Sequence, residues 1–171
     1  ANEFVPHARL CHRINDASWT ILDSRDVRHV QPGEILSACS MHSGELDVLE
    51  GSPPCHAFSM IGKRHKLWGQ YRTYTHGAKQ KNEDLFQEFL RLLHGLQPKV
   101  FIAENVVGLV RGASKGMFLE ILDGMRNAGY RVACRLLDAQ WLGVPQQRIR
   151  TIFIGVRNDF NAEPVFPKPL L

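Results

Sequence analysis

Apolar and polar positions change period several times along the chain, and each period predicts an element. In "NEDLFQEFLRLLHGLQP" the residues Leu85, Phe86, Phe89, Leu92, Leu93 and Leu96 recur at helical spacing, with Asn82 as N-cap and Gly95 and Pro98 closing the helix. "SKGMFLEILDGMRNAGY" predicts a second helix, capped by Ser114 and stopped at Gly129. The short apolar runs in "TILDS", "LDVLEG" and "KVFIAENV" predict buried strands, and "RVACRLLDA" and "RTIFIGVR" predict two further strands, joined by "QWLGVPQQRI". Residues 62–81 are polar, basic and aromatic with no clear period, and they read as a long loop. Strand and helix alternate, which predicts an α/β layered fold with a largely parallel sheet. The closing "NDFNAEPVFPKPLL" carries three prolines and reads as an exit from the domain.

Composition narrows the picture modestly. The 171 residues suffice for one domain with a sizeable core, and 44% hydrophobic with 22% charged residues is ordinary for a globular protein. No apolar run approaches the roughly 20 residues of a membrane span, so no membrane partner is expected. Cys11, Cys39, Cys55 and Cys134 are scattered without a CxxC pair, which argues against a zinc site or other metal centre and against a disulfide framework. An intracellular, reducing location is the expectation. The net charge of +4 is compatible with nucleic acid as a partner, and equally with a solvated basic face.

Three stretches carry candidate chemistry. In parallel α/β sheets ligands bind beyond the carboxyl ends of strands. One such end presents Pro53, Pro54 and Cys55; another presents Glu104 and Asn105. The third stretch, Gln146 to Arg150, opens a strand, where an extended Arg-x-Arg would put Arg148 and Arg150 on one face. Taken singly, Cys55 also reads as a small buried apolar residue, Glu104 as a solvated or salt-bridged carboxylate, and the arginines as flanks of a surface strand. Two consecutive prolines fix the loop that carries the thiol, and such stiffness suits a nucleophile that must be held in place.

Together, "GSPPCHAFS", "FIAENVVGLV" and "LGVPQQRIRTIFIGVR" resemble three signature motifs of the cytosine-C5 DNA methyltransferases, in the family's order. "ANEF", "DSRDV", "DLFQEF" and the tail "VRNDFNAEPVFPKP" are similar to further family segments, so the likeness covers almost the whole chain. The resemblance implies a Rossmann-like S-adenosylmethionine-dependent methyltransferase fold, incomplete, with a mostly parallel sheet and helices on both faces. Residues 1–158 would belong to the catalytic domain and 159–171 would lead out toward a target recognition domain.

The resemblance also implies roles. Cys55 would add to C6 of cytosine, which breaks the ring's aromaticity and makes C5 nucleophilic toward the methyl group of S-adenosylmethionine. Glu104 would meet N3 and the amino edge of the base, Arg150 the carbonyl O2, and Arg148 the thiolate side of the pocket. Double-stranded DNA is the implied partner, with the target base flipped out. Ser59, Lys63 and Arg64 are the implied nucleic-acid contacts. On the cofactor side the resemblance suggests Glu3 for the ribose, Phe4 for stacking, Asp26 and Val27 for the adenine edge, and Pro54 and Leu85 beside the methionine end. The acidic loop could align on Asp23 as well as on Asp26.

The chain departs from the family pattern at His56, where relatives carry Gln. The family's glycine-rich first motif has no counterpart in these residues, nor does the recognition domain. A fragment, or one piece completed by a second chain or domain, is therefore expected. The related tRNA cytosine-C5 methyltransferases share these motifs, and an inactive DNA-binding remnant of the family is the non-enzymatic alternative.

Overall fold

A computed structural model of the chain describes residues 1–15, 20–53, 71–73, 79–81, 85–110 and 115–170. The elements in chain order are α1 (Pro6–Asn15), α2 (Pro32–Ala38), β1 (Val48–Gly51), β2 (Tyr71–Thr73), β3 (Lys79–Lys81), α3 (Leu85–Leu96), β4 (Val100–Val106), α4 (Lys115–Asn127), β5 (Tyr130–Asp138) and β6 (Ile149–Arg157). Short 3-10 turns cover Val27–His29, Val107–Val110 and Ala139–Leu142.

The main sheet has the order β1-β4-β6-β5. β1 pairs parallel with β4, while β6 pairs antiparallel with both β4 and β5. β1, β4 and β5 thus run the same way, as the sequence predicts, and β6 is inserted between two of them in reverse. Chain connectivity accounts for this. The stretch between β5 and β6 holds one 3-10 turn and no crossover helix, so the chain returns as a neighbour running backwards.

One face of this sheet is the core. Phe101 and Ala103 of β4 and Phe153 of β6 point inward and are fully buried. α3 and α4 cover them, contributing Phe86, Phe89, Leu90, Leu93, Ile121, Leu122 and Met125 to one cluster. Edge-to-face rings link Phe86 to Phe89 and Phe153, Phe89 to Phe101, and Phe101 to Tyr130 at centroid distances of 5.2–6.0 Å. The Tyr130 hydroxyl donates to the Pro98 carbonyl at 2.6 Å, so the one polar atom of this stack is satisfied. Gly155 lies directly beneath the Phe101 ring, where any Cβ would collide.

α3 and α4 account for the expected helical layer on that face. The opposite face carries Ile102, Ile152 and Ile154, only partly covered among the described residues. Phe166 of the C-terminal segment is buried beneath the Arg135 guanidinium, which β5 places on this second face. Arg131 anchors the same segment by donating to the Asn158 and Phe160 carbonyls.

The predicted helix spans Leu85–Leu96 and runs through Gly95, which was expected to close it; the left-handed stop falls at Gln97, with φ 47°, and Pro98 follows as expected. Gly129, at φ 97°, stops α4. The predicted N-caps Asn82 and Ser114 lie outside the described residues. Three further expectations need correction. "LDVLEG" forms the strand β1, but Val48–Gly51 contains no buried residue, because β1 pairs with β4 alone among the described residues. "TILDS" forms no strand; it contributes one parallel bridge, Asp23 to Asn2, with Glu3 N–H donating to the Asp23 carbonyl at 3.0 Å. The stretch read as a loop contains β2 and β3, paired antiparallel from Tyr71–Lys81 to Thr73–Lys79. Three residues per strand are too few to display an alternation. α1 and α2, which the apolar pattern did not predict, contain no fully buried residue.

Candidate active site

β4 ends on a polar pair, and its two neighbours bring chemistry to the same edge of the sheet. β1 runs parallel, with Gly51 opposite Ala103, so its carboxyl end delivers Ser52 and Pro53 there. β6 runs in reverse, with Arg150 opposite Val106, so its amino end arrives at the same place. That reversal explains how arginines at the start of a strand reach residues at the end of another.

The geometry at this edge is specific. Arg150 Nε lies 2.8 Å from Glu104 Oε1, and Arg148 Nη2 lies 3.7 Å from the same oxygen. The Arg-x-Arg spacing therefore does place both guanidinium groups on one face, converging on one carboxylate. Glu104 and Arg150 are partly buried and Arg148 is half-exposed. Beside them, Asn105 is only 2% exposed. Its amide donates to the Pro53 carbonyl at 3.0 Å, and its Oδ1 accepts the Val106 N–H at 2.8 Å. Thr151, also buried, donates to the Val106 carbonyl at 3.3 Å. Pro54, Cys55, Ser59, Lys63 and Arg64 lie outside the described residues, as does His56.

A cleft of about 960 Å³ opens next to this edge, along β1. Among its walls are Glu3, Phe4, Val27 and Leu85, together with Glu50 to Pro53 at the end of β1. Four of the sequence-predicted cofactor residues thus share one cavity. Asp26 is not in the wall. Its carboxylate caps the turn that begins at Val27, accepting Arg28 N–H at 3.0 Å, and pairs with Arg28 Nη1 at 3.1 Å. Asp23 does line the cleft, yet its carboxylate is held by Arg25 at 2.7 Å. Arg25 also grips Glu34 at 3.0 Å, and these bonds hold both carboxyls below the usual range. Glu3 turns one oxygen to the Val5 N–H at 2.7 Å.

The residues present suit a nucleoside-bearing cofactor. The cleft offers an acidic group for hydroxyls, an aromatic ring and aliphatic walls. Sequence reading named Asn105 at this strand end but gave it no role; it shares the inward parity of Phe101 and Ala103, and an amide at an inward strand position must find partners. One residue was overlooked. Arg91 was not legible. It sits on α3 and donates to the Val27 and Val30 carbonyls, and nothing in the local sequence points to that distant turn. Among the described residues no group of His, Cys, Asp and Glu is arranged to hold a metal ion, and no helix is long and apolar enough to cross a membrane.

Comparison with known proteins agrees with the motifs. The family described as C-5 cytosine-specific DNA methylase matches residues 1–170. Type II methyltransferase M1.HphI of Haemophilus parahaemolyticus is 35% identical over 167 residues, covering 98% of this chain and 41% of that protein. Type II methyltransferase M.BspRI of Lysinibacillus sphaericus is 32% identical over 168 residues, covering 98% of this chain and 34% of that protein. The chain therefore spans well under half the length of these relatives. Among solved structures, a Spodoptera frugiperda DNMT2 variant superposes with a TM-score of 0.66 at 20% identity, over 94% of this chain and 43% of that one. Schizosaccharomyces pombe Dnmt2 methyltransferase gives 0.64 at 19% identity, over 95% and 44%. The fold is thus part of a Rossmann-like methyltransferase fold, and the chain belongs to the C-5 cytosine-specific DNA methylase family.

Proposed function

We propose that this chain is the catalytic region of an enzyme that transfers a methyl group from S-adenosylmethionine to C5 of a flipped-out cytosine in DNA. The observation that carries this reading is the convergence of Arg148 and Arg150 on Glu104, at the edge to which Asn105 ties the loop entering Cys55.

In this reading the Cys55 thiolate adds to C6, forming a carbon–sulfur bond and pushing electrons onto the ring. Glu104 faces N3 and the exocyclic amino group, and its carboxyl delivers a proton to N3 as the thiolate adds, neutralising the negative charge that the addition builds up. Arg150 leaves Glu104 for the base carbonyl O2, and Arg148 favours thiolate over thiol at Cys55. When bound, S-adenosylmethionine supplies the electrophilic methyl group. Loss of the C5 proton to a solvent base, expulsion of the Cys55 sulfur as thiolate and return of the N3 proton to Glu104 then restore the aromatic ring. Glu3, Phe4, Val27 and Leu85 hold the cofactor in the cleft, with Asp26 shaping the turn and Pro54 beside the methionine end. Ser59, Lys63 and Arg64 contact the DNA backbone. Residues 159–171 lead toward a target recognition domain, and a further domain or chain completes the cofactor site.

The test is trapping with duplex DNA that carries 5-fluorocytosine, in the presence of S-adenosylmethionine. The expected result is a denaturation-stable adduct that disappears in Cys55→Ser. Failure of the intact protein to form it, or methyl transfer that survives Cys55→Ser, overturns the assignment. The same assay with tRNA in place of duplex DNA separates this reading from the tRNA-modifying alternative.

A further inference from the structure

Two walls of the cofactor cleft come from distant parts of the chain. One is α3, which contributes Leu85, Phe89 and Leu92; the other is the 3-10 turn that starts at Val27. Arg91 fastens them together. Its Nη2 donates to the carbonyls of both Val27, at 2.9 Å, and Val30, at 3.0 Å. Glu88, one turn earlier on α3, receives Arg91 Nε at 2.7 Å and fixes the plane of the guanidinium. Neither Arg91 nor Glu88 is part of the cleft wall, so both act on it only through the turn.

The turn needs such a fastening. It is three residues long, and a single 3-10 turn has little stability of its own. Its first carbonyl and the carbonyl of its C-cap, Val30, are the two that Arg91 binds, so one planar group sets the spacing between them. Val30 itself is 1% exposed, which leaves the turn no room to shift toward the core. Both ends of the turn are thus fixed relative to α3, and with them the distance between Val27 and Leu85 across the cleft.

We infer that Arg91 is a positioning residue for the cofactor site, holding the Val27 turn against α3 at the width that the nucleoside end of the cofactor requires. The inference rests on the assignment of this cleft to S-adenosylmethionine.

The test is steady-state methylation by the intact protein, with cofactor and duplex DNA varied separately, for Arg91→Met, Arg91→Lys and Glu88→Gln. Arg91→Met should raise the KM for S-adenosylmethionine by roughly tenfold, as expected for losing charge-assisted bonds to two carbonyls. The kcat at saturating cofactor should stay within about threefold, because no group at the reacting atoms changes. Arg91→Lys should be intermediate, since an ammonium cannot reproduce a fork held in plane by Glu88. Glu88→Gln preserves the fork and most of the packing; it should raise the same KM by about two- to threefold, and it serves if Arg91→Met does not fold. The KM for DNA should not move in any variant. An unchanged cofactor KM in Arg91→Lys and Glu88→Gln, or a fall in kcat alone, overturns the inference. Ultraviolet cross-linking of labelled S-adenosylmethionine to the unaltered protein tests the underlying reading separately. Label in the peptides around Val27 or Leu85 supports it, and label only elsewhere overturns that reading and the inference with it.

Discussion

The Asn105 side chain ties β4 to the segment that follows β1: its amide donates to the Pro53 carbonyl at 3.0 Å while its Oδ1 accepts the Val106 N–H of its own strand at 2.8 Å. The loop that leads into Cys55 is thereby pinned to the strand that carries Glu104. Replacing Asn105 by Ala leaves both backbone groups without a partner in a nearly dry site, at a cost of about 1–3 kcal/mol. Thermal melts should register that loss. Adduct formation with 5-fluorocytosine DNA should slow further than stability alone explains, while cofactor KM stays near its starting value.

The two arginines are not equivalent. Arg150 is more buried and closer to Glu104 than Arg148. Arg150→Ala should lower methyl transfer on the order of a hundredfold or more, the scale seen when one oriented donor is removed from a reacting group. Arg148→Ala should cost less, and single-turnover rates compare the two directly. Arg150→Lys should rescue little, because a point charge does not reproduce an oriented fork.

Cys134 packs against the core, and burial pushes its thiol up to about 11 from an ordinary 9.0. Its raised value means that the folded state keeps the proton through that window. The stability contributed is complete below pH 9.0 and is lost as pH rises toward about 11. Cys11 and Cys39 are exposed. Iodoacetamide at pH 8 followed by peptide mass analysis should therefore label Cys11 and Cys39 well before Cys134.

Gly155 has no room for a side chain: the Phe101 ring occupies the space one would need. Gly155→Ala should destabilise the protein by about 1–3 kcal/mol through overpacking at the centre of the sheet. Denaturant titration should show a lower midpoint with an unchanged slope.

Legibility in the sequence tracked how local the physics was. α3, α4 and the strands β4 and β6 announce themselves because each buries one face, and burial writes its period into the chain; β5, with only Tyr130 buried, shows as an apolar run instead. α1 and α2 bury no residue fully, so no apolar period marked them. β2 and β3 are held by each other across a few residues. At the site, Glu104, Arg148 and Arg150 could be picked out one strand end at a time. What brings them together is the direction of β6, which is a property of how the chain returns and not of any short stretch. The backbone carbonyls that Arg91 and Asn105 bind lie 61 or more and 52 residues away in sequence, so only the folded chain reveals them.

β4 has a strand neighbour on each side, and Glu104 sits just past the end of the β1 pairing, where β6 still holds its backbone opposite Ile152. The carboxylate is the datum of this edge: both guanidinium groups reach it from the neighbour that runs in reverse. A change in the segment that enters β6 therefore alters what the carboxylate faces without rebuilding the scaffold underneath.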